Sequence, residues 1–492
     1  MISLSPADAL LIILYFISVI VVGFHSARKT TTRQEDYLLA GRSLTLPVFV
    51  MTLVSTWYGG ILGVGEFSYL YGISNWFVQG VPYYLFAAFF AFLLARKIRA
   101  TNLYTIPDKL YQSYDTKTAV LGAVLTFILM TPAPYILMLS LFLQMIFGWG
   151  MGFSLAVTAV LALSYLYLGG FRSDVATDVL EFILMFVGFA VIIPYAVSHF
   201  GGLEFLQAHL PPFHLMWHGG HSPQFIMVWF FIALWTLVDP AFHQRCYAAK
   251  DGATAQRGIL VSIFFWFLFD GMTAAAGLYA RAALPRLDEP MLSYPMLAEI
   301  VLPPVAKGLF YIGILATIMS TLNTLGFVSA QTLGRDILLR LGIGRSIRAT
   351  TIVDTETAAS GFTKAGLIIS FFLSVLLALA IPSVIKIWYT IGTVTIPGLL
   401  VPLMASYFAR LRIPARFAFL AMLFGWLTSL SWLIAGYGGS GSGTYPLGVE
   451  PMYPGLAVAL VLWGVGRVRS SMINSLPASS SADSSRNRSS LA

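Results

Sequence analysis

The sequence predicts an all-α, multi-pass membrane protein with thirteen transmembrane helices, and composition and hydropathy pattern are the observations behind this prediction. Of the 492 residues, 58% are hydrophobic and only 10% are charged, whereas about a quarter of the residues in a soluble protein are charged. The apolar residues form long continuous runs, which excludes a transmembrane β-barrel. The net charge of +8 comes from basic residues in short loops between the runs, so it does not indicate a nucleic-acid partner.

Thirteen apolar runs are close to or above the length of about 20 residues that a helix needs to cross a bilayer. Their approximate bounds are 7–26, 46–72, 75–96, 118–147, 151–169, 173–199, 223–242, 257–281, 304–334, 363–382, 385–409, 415–436 and 451–468. If the runs alternate in direction, 25 of the 29 Lys and Arg residues fall on one side. Because short cytoplasmic loops carry the excess of basic residues, we expect a plasma-membrane protein with its amino terminus outside and its carboxyl terminus in the cytoplasm.

The second run contains four glycines within seven residues, in the sequence STWYGGILGVGEF that begins at Ser55. Each glycine costs a helix about 1 kcal/mol relative to alanine. Such a segment favours a helix that is broken at mid-membrane and leaves backbone carbonyl and amide groups free. Close packing of helices through small residues is the alternative interpretation.

Carboxylates at membrane depth form a second set of candidates. Asp178 and Glu181 lie just inside the sixth run, behind the sequence GGFRSD. The plain interpretation of Asp178 is a helix cap or a pairing with Arg172; at the inner mouth of a cation path it would also attract the departing ion. Asp239 precedes Pro240, a place where a helix tends to break. Two further carboxylates fall within apolar runs, Glu66 and Asp270.

A stripe of hydroxyl groups follows the ninth run, in the sequence LATIMSTLNTL that begins at Leu315. Thr317, Ser320, Thr321 and Thr324 are spaced i, i+3, i+4 and i+7, so they share one face of a helix. Polar groups at membrane depth are costly and often functional, yet Ser and Thr also hold neighbouring membrane helices together. The stripe therefore indicates either a polar site or a packing contact.

Five segments, in order along the chain, resemble the sodium/solute symporter family, the group of bacterial proline, sugar, sialic acid and pantothenate symporters. They are DYLLAGRSL (36–44), LYTIPDKL (103–110), GGFRSDVATDVLEFILM (169–185), HQRCYAAKDGATAQRG (243–258) and LATIMSTLNTLGFVSAQTLGRDI (315–337). Each segment is a weak signal, but all five occur in the family's order and at matching positions relative to the membrane.

The resemblance implies a LeuT-like core of two inverted five-helix repeats. The expected divisions are a peripheral first helix and loop (1–45), the first repeat (46–200), the second repeat (201–410), two peripheral helices (411–469) and a disordered cytoplasmic tail (470–492). In this fold the first helix of each repeat is broken at the substrate site.

The resemblance also implies a sodium site between the broken helix and the hydroxyl stripe. Ser320 and Thr321 are expected to supply hydroxyl oxygens, and Thr317 a backbone carbonyl. The partner carbonyls belong to Ser55 and Tyr58 in one alignment, and to Leu53 and Thr56 in an alignment shifted by two residues. Asp178 matches an acidic residue associated with sodium release to the cytoplasm.

The expected function is sodium-coupled symport of a small organic solute by alternating access, with no enzymatic activity. The solute would lie beside Trp57, Gly59, Gly60, Trp235 and Tyr389. The residues that hold a sugar are not evident, and a modest, zwitterionic or carboxylate-bearing solute is favoured. Sodium, the solute and the lipid bilayer are the implied partners, and a single copy of the chain is sufficient for the mechanism.

Three alternatives stay open at this point. The same fold can operate as a proton-coupled or uncoupled transporter, with Glu66, Asp239 or Asp270 as the titrating group. It can also serve as a transporter-like solute sensor, although no fused signalling domain is recognisable. A membrane-embedded enzyme would need a paired nucleophile and base or a metal cluster, and neither stands out in the sequence.

Overall fold

The computed structural model describes residues 4–31, 33–342, 352–381, 384–438 and 445–475, and these residues are almost entirely helical. The principal helices are α1 (Pro6–Ala27), α2 (Leu46–Trp57), α3 (Ile61–Tyr71), α4 (Asn75–Ala100), α5 (Thr116–Leu129), α6 (Ala133–Phe147), α7 (Met151–Phe200), α8 (Pro223–Ile232), α9 (Pro240–Ala248), α10 (Gly252–Ala283), α11 (Ala306–Gln331), α12 (Ile352–Ala380), α13 (Val384–Ser406), α14 (Ala415–Gly438) and α15 (Met452–Ser475). Shorter helices in the loops include Gln34–Leu39, Ile106–Ser113, Leu203–His209 and Ser293–Val301.

Ten helices of the described residues are long and apolar enough to cross a membrane, or eleven if α2 and α3 form one bent span. Helix α7 explains part of the difference from thirteen. Its 50 residues would extend about 75 Å at 1.5 Å per residue, more than twice the roughly 30 Å of a bilayer's hydrocarbon core. Gly170, with φ 56° and ψ −145°, interrupts it between the fifth and sixth predicted runs. The count of thirteen stays a prediction.

The carboxyl-terminal helix α15 continues to Ser475, five residues past the expected start of the tail at 470. The rest of that tail, 476–492, lies outside the described residues.

Helix α11 is the central helix, because its membrane-spanning window is buried within the protein on all sides. Its most extensive partner is α7. A Cβ atom placed on Gly188 of α7 would lie 2.7 Å from the Cα atom of Gly313, so the two backbones meet at small residues as is usual for membrane helices. Because α11 is buried within the protein, its hydroxyl stripe does not face lipid.

The predicted break in the second span is confirmed, since α2 and α3 meet at an angle of 60°. A Cβ atom on Gly59 would lie 2.2 Å from the Cβ atom of Thr321, and one on Gly60 would lie 2.1 Å from a ring carbon of Trp388. Only glycine at these two positions lets the broken segment approach α11 and α13 so closely.

A second break, predicted at Asp239–Pro240, is also confirmed. Asp239 is extended, with φ −66° and ψ 113°, and its Oδ1 atom accepts hydrogen bonds from the backbone N–H groups of Ala241 (2.7 Å) and Phe242 (3.3 Å). A carboxylate at this position caps the first turn of α9. The two broken spans would be the first helices of the two expected repeats, although the repeat boundaries themselves stay a prediction.

Candidate functional site

The hydroxyl stripe of α11 faces the end of α2 and is buried inside the protein. Ser320 is fully buried and Thr321 is 2% exposed. The Oγ atom of Ser320 lies 2.9 Å from the Oγ atom of Ser55 and donates a hydrogen bond of 2.5 Å to Oδ1 of Asp178. The side chains of α2, α7 and α11 therefore converge at Ser320.

A backbone carbonyl at the helix break joins the stripe at Thr321. The Oγ1 atom of Thr321 donates to the carbonyl of Thr56 over 2.5 Å, and it also lies 3.3 Å from the carbonyl of Thr317. Helix α2 ends at Trp57, so the carbonyl of Thr56 is one of those left without a partner in the helix. The carbonyls of Thr56 and Thr317 therefore both lie next to the hydroxyl of Thr321, which is adjacent in the chain to Ser320.

Tyr58 makes different contacts. Its hydroxyl donates to the carbonyl of Trp266 over 2.9 Å, and its ring packs edge-on against Phe269 with 4.5 Å between centroids. The carbonyl that accepts from Thr321 belongs to Thr56, one of the two carbonyls of the shifted alignment, and the choice between the two alignments stays a prediction. Ser55 still contributes its side-chain oxygen.

Arg245 is the site residue that the sequence did not reveal. It was expected in a cytoplasmic loop, but its side chain is fully buried. Its Nη2 atom lies near one carboxylate and three hydroxyls, at 3.1 Å from Asp178 Oδ2, 2.9 Å from Thr52 Oγ1, 2.7 Å from Thr56 Oγ1 and 2.8 Å from Thr324 Oγ1. This guanidinium therefore joins α2, α7 and α11 at one point.

The expected alternative partner of Asp178 was wrong. Arg172 instead bonds to Asp36 through its Nε atom at 3.1 Å, outside the membrane-depth cluster. Asp178 instead meets Arg245, whose Nη2 atom lies 3.1 Å from its Oδ2 atom. A signal for this pairing is present in the sequence, because several buried carboxylates on one helix face require a cation from elsewhere.

The carboxylates of α7 outnumber the cation that balances them. Asp174, Asp178 and Glu181 are spaced i, i+4 and i+7, and all three are fully buried. The Nη2 atom of Arg245 is 3.8 Å from Asp174 and 3.1 Å from Asp178, while Glu181 accepts a hydrogen bond of 3.2 Å from Tyr15. One guanidinium against three carboxyl groups leaves room for a further cation or for protons, since unbalanced buried charge is costly.

A cavity of about 380 Å³ adjoins this cluster. Thr56 and Thr321 line its inner end. Tyr71, at the end of α3, and Phe225, near the start of α8, line its other end. Its size is typical of a small-molecule site. The cavity thus extends from the helix break towards the ends of the helices that lie away from the basic loops.

Four of the five residues expected at the solute line this cavity, Trp57, Gly60, Trp235 and Tyr389. The fifth, Gly59, is in contact with Thr321 instead. The hydroxyl of Tyr389 donates to the carboxylate of Glu450.

The cavity also contains residues that were not expected at the solute. Trp388 packs on Gly60, and its ring lies 5.9 Å from that of Tyr135. Asp239 and Asp270, which the sequence offered as titrating groups and not as solute contacts, line the wall. Within the described residues, no group of three or more His, Cys, Asp and Glu side chains is arranged to hold a metal ion.

A family model matches most of the chain. Residues 37–425 match the model described as "Sodium:solute symporter family". The sodium/pantothenate symporter of Escherichia coli (strain K12) is 27% identical over 362 residues, which are 68% of this chain and 72% of the relative. The high-affinity choline transporter 1 of Drosophila melanogaster is 24% identical over 416 residues, 78% of this chain and 64% of the relative. The sodium/proline symporter of Staphylococcus aureus (strain JH9) is 24% identical over 347 residues, covering 66% and 67%.

Solved structures share the fold. A substrate-bound, outward-open Na⁺-coupled sialic acid symporter superposes with a TM-score of 0.75 at 14% identity, covering 95% of this chain and 98% of that one. Mhp1, a nucleobase-cation-symport-1 family transporter in a closed conformation, gives a TM-score of 0.59 at 12% identity, covering 91% and 96%. These likenesses show that the chain has the LeuT-like fold.

Proposed function

The chain belongs to the sodium:solute symporter family, and from this premise we propose that it is a sodium-coupled symporter that imports a small organic solute across the plasma membrane by alternating access. The observation that carries the proposal is the contact of Thr321 with the free carbonyl of Thr56, next to the contact of Ser320 with Asp178. Oxygen groups converge there at a helix break, which is the arrangement that holds Na⁺ in transporters of this architecture.

In this proposal sodium binds between α2 and α11. The hydroxyls of Ser320 and Thr321 and the carbonyls of Thr317 and Thr56 are its ligands, and the carbonyl of Leu53 and the hydroxyl of Ser55 are further candidate ligands on α2. Sodium is a cargo of the transport cycle, so its binding has to be reversible. The carboxylate of Asp178 lies on the side of Ser320 that leads to Arg245, and there it would attract the departing ion.

Sodium and the solute act on the same conformational equilibrium. An ion that bridges α2 and α11 stabilises the form in which the cavity reaches Tyr71 and Phe225, because that form holds the ligand oxygens together. Closure over the solute is followed by separation of Arg245 from Asp178, which opens the opposite side. Coupling requires that both cargoes prefer the same state, because a ligand that binds two states equally shifts nothing.

The energy source in this proposal is the sodium gradient together with the membrane potential. The potential contributes roughly 2.3 kcal/mol per charge for each 100 mV. The named relatives carry solutes of different charge, namely pantothenate, choline and proline, so their names alone do not select a solute for this chain. Lipid and the solute are the partners, and one copy of the chain suffices.

The test is solute uptake into proteoliposomes that contain the full chain. An inward sodium gradient should drive accumulation of a solute above its equilibrium level, and an equal potassium gradient should not. The excess of carboxyl groups in α7 over Arg245 favours proton coupling as the second candidate. Uptake that is insensitive to sodium but driven by an inward proton gradient would establish that alternative and reject the proposal.

A further inference from the structure

Aromatic rings dominate the walls of the cavity. They belong to thirteen of the thirty-one described residues that line it. The ring of Trp57 lies 4.8 Å from that of Tyr83 and 5.5 Å from that of Phe242, in edge-to-face contacts. Tyr135 and Trp388 form a second pair, with 5.9 Å between centroids. Ring faces carry partial negative charge, so a cavity bounded by several rings attracts cations.

The charged groups of the cavity are all acidic. Among the described lining residues, Glu66, Asp239 and Asp270 carry carboxylates, and none is Lys, Arg or His. Asp239 uses its Oδ1 atom to cap α9, and Asp270 accepts a hydrogen bond from the hydroxyl of Tyr84. The Oε2 atom of Glu66 is buried without a hydrogen-bond partner.

The buried guanidinium of Arg245 does not balance these carboxylates. Arg245 bonds to Thr56 at the inner end of the cavity, but its guanidinium lies between Asp174 and Asp178. Those two carboxylates already exceed its single charge. The cavity and the adjoining cluster of Asp174, Asp178 and Arg245 therefore contain more carboxylates than basic groups. A bound cation would reduce this excess of negative charge.

Resting on the proposed function, we infer that the transported solute is an organic monocation of the ammonium type, and that Asp239 and Asp270 with the surrounding rings select it. Ammonium carbons and hydrogens contact ring faces well, and the carboxylates supply the opposite charge. An anionic solute would meet three carboxylates and no described basic side chain, which disfavours binding by charge repulsion. The inference differs from the solute favoured by the sequence, which was zwitterionic or carboxylate-bearing.

Two matched ligand series test the charge preference. The first is choline with its neutral isostere 3,3-dimethylbutanol and the anion 3,3-dimethylbutanoate. The second is 2-phenylethylamine with 2-phenylethanol and phenylacetate. Binding of each to the purified full chain in saturating NaCl is measured by isothermal calorimetry. In at least one series the cation should bind about tenfold or more tightly than its neutral partner.

Substitutions identify the groups responsible. Asp239→Asn keeps the oxygen that caps α9, and Asp270→Asn keeps an acceptor for Tyr84, so both changes remove charge with little change of shape. Each should weaken binding of the preferred cation about tenfold and leave the neutral partner unchanged. Glu204→Gln is the control, since Glu204 is exposed in the loop after α7 and lies outside the cavity. It should leave every affinity unchanged.

The outcomes separate this inference from the proposed function. The absence of a cation preference in both series overturns the inference, whether the neutral or anionic member binds equally or more tightly or no member binds. Sodium-driven accumulation of a neutral or anionic solute would overturn it while leaving the symport proposal intact. Cation binding that depends on Asp239 and Asp270, without any effect of sodium gradients on uptake, would support the inference and reject sodium coupling.

Discussion

The hydroxyl of Thr321 donates a hydrogen bond of 2.5 Å to the backbone carbonyl of Thr56, across the interface between the central helix α11 and the broken end of α2. The carbonyl is available because α2 stops one residue later. Since a helix break exposes oxygen atoms at the depth where α11 presents its own hydroxyls, the two segments together form a site that neither could form alone.

Removal of the two hydroxyls should weaken sodium binding without unfolding the protein. We expect the sodium concentration that gives half-maximal thermal stabilisation to rise about tenfold or more in the Ser320→Ala/Thr321→Ala double variant, because it loses two oxygen ligands. Melting is followed in purified protein over a series of NaCl concentrations at constant ionic strength with KCl.

A matched control for this experiment is Ser329→Ala. Ser329 is a buried hydroxyl on the same helix, and it bonds to Ser370 rather than to the cluster. Its removal should leave the sodium response unchanged. An identical sodium response in the double variant and in the wild type would reject the assignment of Ser320 and Thr321.

Alanine at Gly59 should disrupt the contact between α2 and α11. The new Cβ atom would lie 2.2 Å from the Cβ atom of Thr321, and overpacking of this kind costs about 1–3 kcal/mol. The melting temperature without sodium and the affinity for sodium should both fall. Gly464→Ala is the control, because nothing lies within 4 Å of its Cβ position. If the two variants bind sodium with equal affinity, the close approach of α2 to α11 at Gly59 is contradicted.

Loss of the buried guanidinium should be strongly destabilising. Arg245→Met leaves Asp174 and Asp178 without their cation, and breaking a buried ion pair from one side costs about 3–5 kcal/mol. The double variant Arg245→Met/Asp178→Asn removes one of the two stranded charges, so it should recover part of the lost melting temperature. If the second change lowers the melting temperature further, Arg245 and Asp178 are not paired.

Replacement of Trp388 should weaken solute binding and leave sodium binding unchanged. The Trp388→Ala variant removes a ring of the cavity wall that packs on Gly60, so we expect solute affinity to fall about tenfold or more while the sodium response is retained. Trp217→Ala serves as the control, since that tryptophan is 57% exposed. Solute binding that is unchanged in Trp388→Ala, measured by calorimetry, would exclude this wall from the site.

Acid should weaken a cluster between the short helix Ile106–Ser113 and the segment that follows α11. Arg335 and Arg340 lie 3.0 and 2.7 Å from the carboxylate of Asp108. Burial alone would raise the pKa of Asp108, but these guanidinium groups outweigh burial and hold the pKa below its ordinary value. The carboxylate therefore contributes stability above its unfolded pKa of about 3.9, and this contribution is lost as the pH falls through the lower folded pKa.

The Asp108→Asn variant measures that contribution. Its melting temperature should lie below that of the wild type near about pH 6, and the gap should shrink as the pH approaches about 3. A gap that is constant over this range would show that Asp108 does not titrate as a member of the pair.

Much of the fold was predictable because its signals are local. The glycines that follow Trp57 and Tyr58 and the proline after Asp239 predict helix breaks to within a few residues. The hydroxyl spacing that includes Ser320 and Thr321 predicts a helix face. The approximate span bounds depend on the same kind of local pattern. The family resemblance added the pairing of the broken helix with the stripe, which periodicity alone does not contain.

The rest depends on contacts between distant segments. Arg245 looks like a loop cation because it follows a span, and only the three-dimensional packing of α9 against α2 and α11 buries it. The contact of Thr321 with the carbonyl of Thr56 depends on the exact residue at which α2 ends, and helix ends are the least certain feature of a sequence pattern. Trp388 carries no signal that separates it from a packing aromatic.

Direct binding of radioactive sodium to the purified protein is the measurement that tests the central claim most closely. The account predicts saturable binding to the wild type, retained in Ser329→Ala and lost or weakened about tenfold in Ser320→Ala/Thr321→Ala. Saturable binding of equal affinity in the double variant, or none in the folded wild type, would contradict a sodium site between α2 and α11.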